Sequence, residues 1–124
     1  MFKVKAHHMS FPVKNLETSA AFYKNVLGLE EIPRPDRFGV AGMWLSAGAC
    51  EVHLIEVGEG VDVGTTPKMV NPGARHAAFE VNDYQEAVDH IKEAGLFVFE
   101  TNPQIGQMWI ADPDGHVIEL IKPA

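Results

Sequence analysis

His8-x-x-Phe11-x-Val13 returns 68 residues further along the chain as His76-x-x-Phe79-x-Val81. Gly28-Leu29 returns after 67 residues as Gly95-Leu96, and Met43-Trp44-Leu45 returns after 65 as Met108-Trp109-Ile110. Val52-His53-Leu54-Ile55 matches Ile118-Glu119-Leu120-Ile121 at a shift of 66. Four landmarks in the same order at nearly one spacing mark an internal duplication. Whatever one half folds into, the other half must fold into as well.

Each half reads as β-α-β-β-β. In the first, residues 6–13 form a strand, and Asn15 caps a helix in which Leu16, Ala20, Tyr23 and Leu27 recur at helical spacing until Gly28 stops it. "LEEIP" is a short strand, "RPDRFG" a loop, and "VAGMWLSAG" and "CEVHLIEV" form a hairpin around Gly48 and Ala49. Residues 58–73, rich in Gly, Pro and Thr, connect the halves. "RHAAFEV" then opens the second half, and Asn82 or Asp83 caps "YQEAVDHIKEA" before Gly95. "LFVFE", "GQMWIAD" and "HVIELIK" are strands, the last two joined by a "DPDG" turn. The fold class expected is α+β: a single domain over residues 1–124, with modules 3–57 and 74–122 forming a cup-shaped mixed sheet with helices on its outer face.

Strand parity assigns the faces, because successive side chains point to opposite sides. Met9, Phe11 and Val13 belong under a helix, as do Ala77, Phe79 and Val81, Val52 and Leu54, and Ile118 and Leu120. His8, His76, His53 and Glu119 are then left together on the opposite face, and His7 falls on the wrong side near the strand's end. A lone strand histidine is ordinarily a hydrogen-bonded structural residue. A glutamate inside "VIELI" must be exposed, paired or metal-bound. Three histidines and one carboxylate at equivalent places in two repeats point to a metal site. Imidazole and carboxylate donors suit Zn, Ni, Co, Mn or Fe(II), and an open coordination position suits catalysis better than a closed structural zinc.

The net charge of −7, with lysines and arginines scattered along the chain, excludes a nucleic-acid backbone as partner. No apolar run reaches membrane-spanning length and no leader precedes the first strand, so no membrane partner is expected. The one cysteine, Cys50, cannot form an internal disulfide and is read as a buried, inert thiol. An acidic protein of a reducing cytoplasm fits these features. Apolar surface on the open face, including Trp44 and Trp109, predicts a homodimer.

Two β-α-β-β-β units, with "HHMSFPVKNLETSAAFYKNVLGL" opening the first and "ADPDGHVIELI" closing the second, resemble the vicinal oxygen chelate superfamily. That group includes glyoxalase I, methylmalonyl-CoA epimerase, extradiol dioxygenases, fosfomycin-resistance enzymes and bleomycin-resistance proteins. The resemblance implies one divalent ion per site, with His8, His53, His76 and Glu119 at the ligand positions. His53 stands where several members carry Glu or Gln, and so can be a ligand, a neighbouring group or a general base. The implied function is a metal-dependent lyase or isomerase of the glyoxalase I type on a small carbonyl compound, free or thiol-conjugated. Glu119 and His53 are its candidate catalytic groups. The alternatives are an Fe(II) dioxygenase of the same superfamily and a metal-free drug-sequestering protein. Pro12 and Glu80 stand where glyoxalase I places a basic residue for glutathione, and only Lys122 follows the last ligand where fosfomycin-resistance enzymes carry several basic residues. Arg34 and Arg37 can serve an anionic substrate group or be ordinary solvated loop charges. His90 and His116 are spare candidates for dioxygenase chemistry, and Phe22 and Tyr23 are packing residues.

Overall fold

The computed structural model describes residues 1–37 and 39–124; Phe38, inside the predicted 34–39 loop, lies outside the described residues. The chain divides into two compact units, Met1–Val63 and Gly64–Ala124. The first contains β1 (His8–Val13), α1 (Leu16–Ala21) continued by a π-helical turn (Phe22–Val26), β2 (Glu30–Ile32), β3 (Gly42–Ala47) and β4 (Cys50–Glu56). The second contains β5 (His76–Glu80), α2 (Tyr84–Glu93), β6 (Phe99–Asn102), β7 (Gln107–Ala111) and β8 (Val117–Ile121). Two tandem βαβββ modules therefore build two four-stranded mixed sheets, of order β1-β4-β3-β2 and β5-β8-β7-β6.

In each sheet the first strand lies parallel to the last, while the hairpins are antiparallel. Registers repeat with the sequence. Ser10 is opposite His53, as Ala78 is opposite Glu119, and Trp44 is opposite His53, as Trp109 is opposite Glu119. Of the residues that parity assigns to the helix face, Val13, Val52, Leu54, Ala77, Ile118 and Leu120 are buried and Met9, Phe11, Phe79 and Val81 half-buried, and Leu45, Met108 and Ile110 of the hairpin strands join the core. Each large apolar side chain so removed from water contributes about 1.5–3 kcal/mol. Phe22 and Tyr23 are both buried in the first core, with the Phe11 ring 5.6 Å from that of Tyr23.

The helices start alike. Asn15 and Asp83 have nearly the same extended backbone (φ −135°, ψ 109° and φ −136°, ψ 106°), and each side chain accepts the N–H three residues on, from Thr18 and Glu86. They also stop alike, at Gly28 and Gly95 with φ +70° and +81°, where a residue with a Cβ is strained. Between these landmarks the halves differ. The caps are 68 residues apart and the stops 67, so the first helix holds one residue more. The π-helical turn absorbs it, marked by the Leu27 N–H donating to the Phe22 carbonyl at 3.3 Å.

Three expectations shift. The first strand begins at His8 instead of Ala6, which leaves His7 outside the ladder, its ring nitrogen 2.8 Å from that of His8. The strand expected over "LFVFE" is displaced to Phe99–Asn102, because Leu96–Val98 lie outside the ladder and a register irregularity between Glu100 and Asn102 moves the pairing toward the turn. Cys50, expected to be buried, is half-exposed at the head of β4, next to the hairpin turn. Asp83, of the two candidates, is the second cap. The "DPDG" turn forms as predicted: buried Asp112 accepts the backbone N–H groups of Asp114 and His116 at 2.9 Å each. No helix among the described residues is long and apolar enough to cross a membrane.

Because the two caps are one device used twice, Asn15→Ala and Asp83→Ala are each expected to lower unfolding free energy by about 1 kcal/mol. Urea titrations of the two variants against the parent chain measure this.

Candidate functional site

In the first unit the donor face of the sheet carries a stack of rings. His53 is 6 % exposed and lies between Trp44, parallel to it at 2° with centroids 4.2 Å apart, and His8, at 13° and 3.9 Å. The register explains the sandwich, since Trp44 is the cross-strand partner of His53 and His8 is two residues from Ser10 on the parallel strand. Glu51, two residues before His53 and therefore on the same face, accepts from His53 Nε2–H at 2.9 Å. In the neutral ring this leaves the lone pair on Nδ1. The hydrogen bond to His53 is also the main cause holding the Glu51 carboxyl below the ordinary carboxylate range, against the desolvation that opposes it. Sequence reasoning missed Glu51; its i, i+2 spacing from His53 within "CEVHL" is the signal that finds it.

The second unit repeats the plan with different chemistry. Glu119, 8 % exposed, occupies the His53 position, and Trp109, 5 % exposed, occupies that of Trp44. The Glu119 carboxylate accepts a short hydrogen bond from the Gln107 side-chain amide. His76 is exposed and its ring stands edge-on to Trp109 at 4.7 Å. Its Nδ1–H donates to the Ala74 carbonyl at 2.7 Å. That bond fixes the tautomer with the lone pair on Nε2, the form that a metal-ligating histidine adopts. Gln107 was the other residue sequence reasoning passed over, although it lies on the Glu119 face two residues from Trp109.

Both modules therefore pair an exposed first-strand imidazole with a buried donor on the last strand. His8 and His53 meet directly, whereas His76 and Glu119 are each held by their own partner, Ala74 and Gln107. Among the described residues, no three His, Cys, Asp or Glu side chains are gathered in a geometry that holds a metal ion. The donor types, the Nε2 lone pair of His76 and the Gln107 amide behind Glu119 fit a divalent ion. The spare candidates play other parts: His90 is exposed on α2, and the backbone of His116 closes the Asp112 turn.

The family model described as "Glyoxalase/Bleomycin resistance protein/Dioxygenase superfamily" matches residues 5–120. The chain is 34% identical to the lactoylglutathione lyase of Neisseria meningitidis, over 93% of this chain and 88% of that one. It is 33% identical to the ethylmalonyl-CoA/methylmalonyl-CoA epimerase of Cereibacter sphaeroides, over 82% of this chain and 80% of that one. Its fold matches that of a genomically encoded fosfomycin resistance protein variant from Listeria monocytogenes, complexed with Mn(II) and a dihydroxypropylphosphonic acid. The TM-score is 0.75 and the identity 20%, covering 100% of this chain and 95% of that one.

The stacked pair has a measurable signature. His8 titrates below its ordinary value of 6.5, first because of desolvation and then through the positive charge of His53 and of His7, with Glu51 opposing. The unfolded chain thus holds a proton near pH 6.5 that folded His8 does not, so this contribution to stability is lost as pH falls through that value. In His53→Ala the His8 midpoint is expected to move up, read from imidazole carbon-proton correlations in an NMR pH titration. A midpoint that does not move refutes the coupling.

Proposed function

The chain belongs to the Glyoxalase/Bleomycin resistance protein/Dioxygenase superfamily, and from that premise we propose a metal-dependent enzyme of the glyoxalase I type that moves a proton at the carbon next to a carbonyl. The observation that carries the reading is the buried Glu119, held by Gln107, in the same sheet position as the Glu51-oriented His53 of the other repeat. The lyase and epimerase relatives support it, since both names describe reactions of carbonyl compounds.

His8, His53, His76 and Glu119 are the residues that would hold the ion. When bound, the ion acts as a Lewis acid for the negative charge that develops on the substrate oxygen. Glu119 takes the proton from carbon and returns it. Its Gln107 hydrogen bond holds one carboxylate oxygen and so aims the other. His53 offers Nδ1 as acceptor while Glu51 stabilises the imidazolium that forms on protonation, so it is either a ligand or the second proton carrier. The ring faces of Trp44 and His8 keep water off it. A dimer that covers the open face fits this reading.

Mass spectrometry of protein purified without chelators or a His tag is expected to find a divalent ion, absent from a His76→Ala Glu119→Ala double variant. Retention is expected to fall below about pH 6 as the imidazoles protonate. Metal-loaded protein in D2O is expected to speed deuterium exchange into methylglyoxal hemithioacetals or methylmalonyl-CoA, with Glu119→Gln slower by a factor of about 10²–10⁴. Oxygen uptake with a catechol in place of exchange would move the assignment to the dioxygenases. Metal retention that stays flat into acid, or no ion taken up after soaking, would remove the metal from the reading.

A further inference from the structure

The loop arginines, equivalent in sequence, are not equivalent in the fold. Arg37 is exposed, while Arg34 is half-buried. β2 ends at Ile32, opposite Trp44, and two residues on the Arg34 guanidinium reaches Gly42, which alternation puts on the face of Trp44 and His53. The guanidinium occupies the place of the missing side chain. A Cβ on Gly42 would lie 3.0 Å from both the guanidinium carbon and Nη2 of Arg34, and 2.7 Å from the Leu54 carbonyl oxygen. Arg34 Nη2–H donates to the Val40 carbonyl at 2.9 Å, just before β3.

We infer that Arg34, seated on Gly42, is a subsite for a carboxylate or phosphate carried by the substrate, a reading that rests on the His53 face being the reaction face. A guanidinium presents its donors in a planar fork matched to the two oxygens of such an anion. Gly42 is one strand over and two residues along from His53, so strand spacing sets the guanidinium roughly 8–10 Å from that ring. The substrate class is accordingly a carbonyl compound whose anionic group is separated from the reacting carbon by a spacer of about that length. Methylglyoxal itself is too short and uncharged to use it.

The first test needs no metal. In the ¹⁵N-labelled full chain, glutarate and, separately, inorganic phosphate are titrated at constant ionic strength while the arginine Nε–H signals are followed, that of Arg34 being identified by its loss in Arg34→Lys. Arg37 and Arg75 are internal controls. A saturable shift of the Arg34 signal alone supports the subsite, and the tighter of the two anions identifies the group. Shifts no larger than those of Arg37 and Arg75 overturn it.

The second test compares suberic acid monohydroxamate with octanohydroxamate, two bidentate chelators differing in a terminal carboxylate, by calorimetry on Ni(II)-loaded protein. The acid is expected to bind about tenfold tighter. Arg34→Gln should abolish that preference and leave octanohydroxamate unchanged. Equal binding of both by the parent chain overturns the proposal. A positive first test with no hydroxamate binding leaves the anion subsite standing and removes the metal reading instead.

Discussion

The parallel register between the first and last strands of each module sets everything else on the donor face. Parallel partners on a pleated sheet share a face, residue by residue. With Ser10 opposite His53 and Ala78 opposite Glu119, His8 and His76 come out beside those donors two residues earlier. A slip of one residue in β1 would bring Met9 out and send His8 under the helix. Val13, fully buried, and Phe11, stacked on Tyr23, oppose that slip, because it would turn both of them out. Core packing and donor placement are thus one constraint seen from two sides of a strand.

The duplicated plan solves one problem in two ways. A buried polar side chain left without a partner costs about 1–3 kcal/mol, more if charged. His53 is satisfied along its own strand by Glu51 and covered by two rings, whereas Glu119 is satisfied across the hairpin by Gln107. Gln107 and Gly42 occupy equivalent squares of the two sheets, opposite Ile121 and Ile55. One module uses that square to clamp a carboxylate. The other leaves it bare, and an arginine lies across it.

The fold was legible because the chain states it twice: the repeated landmarks, the caps at Asn15 and Asp83 and the alternation in "VHLI" and "IELI" each define an element. The four candidate donors followed from parity alone. The partners did not, since Glu51 and Gln107 read as ordinary polar residues until a register places their oxygens and nitrogens within reach. Arg34 and Arg37 were indistinguishable in "RPDRFG" for the same reason. Only the approach of the Arg34 guanidinium to Gly42 separates the arginine on the sheet from the one in the loop. The late start of β1 and the displacement of β6 are end effects that side-chain pattern does not encode.

The π-helical turn carries a consequence for how such a molecule can change. One residue added to an α-helix rotates everything after it by about 100°, enough to turn a buried aromatic out to water. By widening a single turn, Phe22–Val26 confines that rotation, so Gly28 still stops the helix and the strands beyond keep their register. An insertion in β4 would exchange the two faces of the strand beyond it unless a bulge took it up, as the irregularity between Glu100 and Asn102 does in β6. The helix side of each half can therefore change in length while the strands that carry His8, His53, His76 and Glu119 keep their register.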